Sequence, residues 1–212
     1  MSLMNETIID LIRHGQSQGN VREIFLGHSD WDLSPLGFLQ ASLCAEHLKD
    51  VPYSAVYSSD LIRAVHTARP LSDAHGLAVQ TSCALRELYA GAWEGKPYAA
   101  LERQYPESFS RWRKDIFAVT PVDGEDPRDL ARRVTEYLTS LAQKHAGERI
   151  AVFTHATAIR AFCTTLPTAT PIEISWAGNA SVTTVRFVDG KFLLLSYGDN
   201  AYLADHKTTF SQ

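Results

Sequence analysis

Two histidines, two arginines and a glutamate in this chain are of the types that could move a phosphoryl group without a metal: His14, His155, Arg13, Arg63 and Glu87. Each histidine stands at the end of an apolar or β-branched run. Ile8-Ile9-Asp10-Leu11-Ile12 leads into Arg13-His14-Gly15, and Arg149 to Thr154 leads into His155. A guanidinium is a permanent cation whose planar fork matches phosphate oxygens. A neutral imidazole can attack phosphorus if one ring nitrogen is free and the other is tied to a fixed acceptor, for which the Gly15 carbonyl is the natural candidate. Phosphoryl transfer depends chiefly on positioning and charge neutralisation, which these groups supply. The departing oxygen also needs a proton. Glu87 is the candidate donor and Glu94 the alternative, provided burial beside a bound dianion keeps the carboxyl protonated. Ser17 and Asn20 either add neutral donors to a phosphate or cap and turn the loop after His14.

Such residues act together only if the fold gathers them at one edge. Strand-like and helix-like segments alternate along the chain, which predicts an α/β fold with a mostly parallel sheet covered by helices. Ile8 to Ile12, Tyr53 to Tyr57, Val79 to Thr81 and Arg149 to Thr154 read as strands, and Asp189-Gly190 joins two final strands as a hairpin. Ser34-Pro35 opens a helix with Leu36, Leu39, Leu43 and Leu48 as its apolar face. Leu61, Val65, Ala68 and Leu71 mark a second helix, with a kink or early end expected at Pro70. Asp126-Pro127 opens a third, packed through Leu130, Val134, Leu138 and Leu141 and ended near Gly147. Parallel strands would deliver Arg13-His14, Ser58-Ser59 and His155 to the carboxyl edge, where open α/β sheets hold ligands.

Tyr89 to Asp123 lacks clean periodicity although it carries Trp93, Tyr98, Tyr105, Phe109, Trp112 and Phe117. It reads as one or two helices inserted over the ligand edge, with Trp93 and Tyr98 as candidate substrate walls. Arg103, Arg111, Arg113 and Lys114 are interleaved with acids and read as a solvated face.

The 212 residues suit one domain, 1–212, and the formal net charge of −4 carries no basic stripe, so neither nucleic acid nor a membrane surface is an expected partner. Cys44, Cys83 and Cys163 fit neither a disulfide framework nor a zinc site, and read as reduced, mostly buried thiols of a cytoplasmic protein. No apolar stretch reaches the length of a membrane span, and no secretory leader is recognisable. Met4 is a second candidate start, with Met1-Ser2-Leu3 as an added leader.

Taken in order, the segments Leu11 to Asn20, Leu33-Ser34-Pro35-Leu36-Gly37, Ser58 to Ala64, Leu85-Arg86-Glu87 with Gly91-Ala92-Trp93-Glu94-Gly95, Val152 to His155, and Asn179 to Thr183 resemble the histidine phosphatase superfamily, in its phosphoglycerate mutase-like branch. The resemblance spans roughly Ile8 to Val188. It implies a three-layer αβα fold and a phosphohistidine on His14. Arg13, Arg63 and His155 would complete the phosphate pocket, with Asn20 near the transferred group and Glu87 as proton donor and then water activator. No metal or organic cofactor is implied. The partner would be a small phosphorylated metabolite, and the protein a monomer or homodimer.

Two departures from the family pattern stand out. Ala156 follows the second histidine, where the family commonly has glycine, and its methyl group borders the expected phosphate pocket. The glycolytic mutases read Glu-Arg-His-Tyr-Gly where this chain reads Glu87-Leu88-Tyr89-Ala90-Gly91. Leu88 cannot bind a carboxylate as that arginine does, which favours hydrolysis of a phosphomonoester over mutase chemistry. A catalytically silent binding module on the same fold is the third reading.

Overall fold

Alternating side chains of β1 (Thr7–Arg13) bury on both faces: Ile9 and Leu11 join one core, Ile12 the other. In the computed structural model, which describes residues 6–208, this strand is central. Met4 lies outside the described residues. β1 pairs in parallel with β4 (Arg149–Thr154), which pairs in parallel with β2 (Tyr53–Ser59), which in turn pairs in parallel with β3 (Val79–Ser82). On its other side β1 meets β5 (Val182–Val188) antiparallel, and β6 (Lys191–Asp199) follows antiparallel, giving the order β3-β2-β4-β1-β5-β6. Asp189 and Gly190 both take positive φ, 51° and 75°, as the tight turn between twisted strands requires.

Helices cover both faces. α2 (Pro35–Leu48) and α3 (Ile62–His75) pack through Cys44, Ala45, Leu48, Ala68 and Leu71 onto Ile12, Val56, Ala151 and Phe153. α6 (Pro127–Lys144) and α7 (Ala156–Thr164) pack through Leu130, Val134, Leu138, Ile159 and Phe162 onto Ile9, Leu11, Tyr57 and Val152. The result is three layers, αβα. Ser34 and Asp126 cap α2 and α6 from the positions that the Ser-Pro and Asp-Pro pairs predict. Cys44 and Cys163 are buried, Cys83 is exposed, and all three are free thiols. No helix of the described residues is long and apolar enough to cross a membrane.

Two expectations need correction. The buried face of α2 is Gly37, Gln40, Ala41, Cys44, Ala45 and Leu48, whereas Leu39 is exposed and Leu36 and Leu43 are half-buried. Small residues let this helix approach the backbone closely: a Cβ on Gly37 would lie 2.0 Å from the Gln16 carbonyl oxygen. Nor does α3 end early at Pro70. It runs on to His75 because Leu71, one residue later, is wholly buried, and Gly76 at φ 63° supplies the left-handed cap.

The segment between β3 and α6 forms α4 (Tyr98–Gln104), α5 (Pro106–Lys114) and three short 3₁₀ turns, Cys83–Leu85, Gly91–Trp93 and Ile116–Ala118. Its aromatics hold it to the sheet. Trp93 lies edge-on to Phe25, Phe109 and Trp112 at centroid distances of 5.5–5.7 Å. Arg103, Arg111 and Lys114 are exposed, while Arg113 is half-buried and paired with Glu102.

Candidate active site

β1 and β4 are adjacent and parallel, with Arg13 opposite Thr154, so His14 and His155 emerge side by side at one edge. The His14 amide donates to the Thr154 carbonyl at 3.0 Å. α2, the first long helix after β1, covers one face and α7, after β4, the other, so the two histidines mark a topological switch point of the sheet. Their rings stand 5.2 Å apart at 60°. Nδ1 of His14 lies 2.7 Å from the Gly15 carbonyl oxygen. A carbonyl only accepts, so Nδ1 carries the proton and Nε2 keeps its lone pair. Burial, then Arg63 and Arg13, pushes the His14 pKa well below the usual histidine range, and burial with the same arginines does so for His155. Both rings are therefore neutral near pH 7. His155 is fully buried, and neither of its ring nitrogens has a hydrogen-bond partner among the described residues.

The loop after His14 is held by backbone packing. The Gly15 amide donates to Thr67 Oγ1 at 3.0 Å, and a Cβ on Gly15 would come within 2.6 Å of the Gly37 carbonyl oxygen. Ser17 caps the short helix α1 (Gln18–Val21): its hydroxyl accepts from the Asn20 amide and donates to Asn20 Oδ1. Ser17 is buried and is not among the residues that line the cavity. Asn20 does line it. With Oδ1 taken by Ser17 and Asn179, its Nδ2 is the polar end available to a ligand.

Arg13 is buried and donates through Nη1 to the Ala177 carbonyl at 2.6 Å. Arg63 is equally buried, and its fork donates to the carbonyls of Ser29 and Gly27 at 2.8 and 2.9 Å. Burial lowers both guanidinium pKa values to about 10, which leaves both cationic at neutral pH. The 27–29 loop is itself built on Glu94, whose carboxylate accepts from the amides of Gly27, His28 and Ser29 at 3.0, 3.2 and 2.9 Å. Glu94 thus organises the carbonyls that aim Arg63, and it does not line the cavity.

Glu87 does. It is buried, with Oε1 accepting from the Leu88 amide at 2.8 Å and Oε2 from the Thr157 amide, in the first turn of α7, at 3.0 Å. Burial raises its pKa above the ordinary glutamate value, and these amide bonds and Arg63 offset part of the rise. Its carbonyl accepts from Arg133 Nη2 and His28 Nε2 at 3.1 and 3.0 Å. Arg133 also holds the Ala84 and Arg86 carbonyls and is gripped by both carboxylate oxygens of Glu125. Arg133, His28 and Thr67 act through main-chain groups, so no spacing in the sequence singles them out.

The cavity encloses about 390 Å³ of empty space including its open mouth. Arg13, His14, Asn20, Glu87 and Thr157 bring polar groups to its lining, with Ala156 beside Thr157. The remaining lining is apolar and aromatic and includes Tyr98. Trp93 is not part of it. Expected as a substrate wall, Trp93 is instead 1% exposed within the aromatic core beneath the insertion, where a large apolar ring gains most from burial. The sequence-designated Arg13, His14, Asn20, Glu87, Ala156 and Tyr98 thus share one cavity. Arg63 and His155 stand behind it and act on His14 by charge and ring contact.

A sheet switch point that gathers paired histidines, buried arginines and a buried carboxyl is equipped to hold an anion and to exchange a proton. Residues 9–200 match the family described as "Histidine phosphatase superfamily (branch 1)", and the chain belongs to that superfamily. Among its relatives, "Phosphoglycerate mutase-like protein 4" of Arabidopsis thaliana is 36% identical over 204 residues, 93% of this chain and 87% of that protein. "Adenosylcobalamin/alpha-ribazole phosphatase" of Escherichia coli K12 is 32% identical over 145 residues, 68% of this chain and 71% of that protein. Among solved structures, a mycobacterial glucosyl-3-phosphoglycerate phosphatase in complex with VO3 superposes with a TM-score of 0.82 at 28% identity, covering 91% of this chain and 99% of that one.

Proposed function

We propose that the protein hydrolyses a small phosphomonoester through a phosphohistidine on His14. The observation that carries this reading is the fixed tautomer: Nδ1–H bound to the Gly15 carbonyl leaves Nε2 as a lone pair inside the same cavity as a buried carboxyl. In the first step Nε2 attacks phosphorus, the ester P–O bond breaks, and Glu87 gives its proton to the departing alkoxide. Arg13 in the lining and Arg63 behind it offset the phosphoryl charge, while the neutral His155, in ring contact with His14, and Asn20 add uncharged polar groups. In the second step the Glu87 carboxylate takes a proton from water and the oxygen attacks phosphorus. The N–P bond breaks, returning neutral His14, protonated Glu87 and inorganic phosphate.

A mutase would return the phosphoryl group to a second hydroxyl of a carboxylate-bearing product. Leu88, wholly buried beside Glu87, offers no cation for that carboxylate, which supports hydrolysis over return. The relatives named as phosphatases support the same choice. Replacing His14→Ala tests the reading: phosphate release from p-nitrophenyl phosphate is expected to fall at least about 1,000-fold. Hydrolysis surviving unchanged in that variant would remove His14 from the mechanism.

A further inference from the structure

Besides its polar groups, the cavity is lined by Ile24, Phe25, Leu26, Tyr98, Trp112 and Trp176, which are the surfaces left for the alcohol portion of the substrate. Phe25 lies 5.0 Å from Trp112, and Trp112 lies 5.1 Å from Trp176, centroid to centroid, so three rings run as one continuous wall. The wall is held in place by the core, in which Phe25 and Trp112 are buried. Arg160 places its guanidinium 4.5 Å from the Trp176 ring centre while donating to the Lys114 carbonyl at 3.0 Å. Among the described residues, Arg13 is the single Lys or Arg of the cavity lining, and it stands at the phosphate end beside His14. A carboxylate on the alcohol portion would lose its hydration against these rings: Arg13, the cation of the lining, serves the phosphoryl group, Arg160 is already engaged with Trp176 and the Arg113 and Lys114 carbonyls, and Glu87 is the other charged group of the lining.

We propose that the preferred substrates are phosphomonoesters of uncharged alcohols bearing a flat aryl or heteroaryl group, seated on the Phe25–Trp112–Trp176 wall, and that carboxylate-bearing phosphoesters are poor substrates. The proposal rests on the phosphatase reading for its use of the phosphate end. Contact with an aromatic face rewards planar apolar groups, and truncating such a pocket costs binding in the transition state as well as in the ground state.

The test compares esters whose leaving alcohols have similar acidity, so that chemistry does not mask recognition: benzyl phosphate, ethyl phosphate, phosphoserine and 3-phosphoglycerate. The expected result is a kcat/KM for benzyl phosphate roughly tenfold or more above each of the others. Trp176→Ala is expected to lower the benzyl-to-ethyl ratio about tenfold, and Trp176→Phe to restore most of it. Phosphoserine or 3-phosphoglycerate turned over as well as benzyl phosphate, or a ratio unmoved in Trp176→Ala, would overturn the proposal and leave the phosphatase reading standing. Binding of the inert analogues benzylphosphonate and phosphonoacetate, followed by tryptophan fluorescence, separates the two ideas. Preference for benzylphosphonate without hydrolysis of any ester would keep the wall and sink the phosphatase. Equal or weaker binding of benzylphosphonate would sink the wall.

Discussion

Two carboxyls in one neighbourhood, Glu87 and Glu94, have different work because their surroundings differ. Glu94 spends both oxygens on three loop amides, whereas Glu87 is buried in the cavity with its pKa raised by that burial. The sign of the pH dependence follows. A proton donor with a raised pKa is competent below that pKa, so kcat/KM for an alkyl phosphate is expected to fall as pH rises through it. His14, pushed well below the usual histidine range by burial and Arg63, stays neutral through the neutral and alkaline range and adds no limb there. Glu87→Gln is expected to abolish the alkaline limb and to lower kcat on an alkyl phosphate roughly 100-fold, with a smaller loss on p-nitrophenyl phosphate, whose leaving group needs no proton. Glu94→Ala is expected to keep the limb while lowering kcat/KM, since it loosens the loop that aims Arg63. Steady-state pH profiles of the two variants check this, and a limb lost in Glu94→Ala would reverse the assignment. The sequence offered both glutamates within eight residues. Only the fold separates them, because the partners of Glu94 are main-chain amides about 65 positions away.

At the scale of elements, β1 positions the site and is held by a polar group buried in its own middle. Asp10 is wholly buried and accepts from Tyr53 Oη at 2.6 Å, Arg149 Nε at 2.7 Å and Thr184 Oγ1 at 2.7 Å, linking residues of β2, β4 and β5 to the central strand. Removing one member strands the others. Asp10→Ala is expected to cost about 3 kcal/mol of stability, read from the midpoint of urea unfolding, and a change below about 1 kcal/mol would show the network to be dispensable. Strand ends, caps and the hairpin were legible because each depends on local chemistry: Ser34-Pro35, Asp126-Pro127 and Asp189-Gly190 have few alternatives. The buried face of α2 and the persistence of α3 past Pro70 were not. Both are decided by what packs against the helix: Gln16 backbone against Gly37, and the core around Leu71.

For the whole molecule, the layering and the convergence of Arg13, His14, Arg63 and His155 were readable, since parallel strands bring their carboxyl ends to one edge whatever lies between them. The insertion was readable only as helices. Which of its rings pack inward and which line the cavity depends on how α4 and α5 settle on Phe25, so Trp93 and Tyr98 could not be told apart by spacing. The proposed hydrolysis makes His14, at this edge, a transient phosphoryl carrier. Rapid-quench labelling with a ³²P-phosphomonoester tests it most directly. Label is expected on the protein within the first turnover, stable in alkali and lost in acid as a phosphoramidate is, mapped to His14 by peptide mass and absent from His14→Ala. Acid-stable label, or turnover with no labelled protein at any time point, would contradict it.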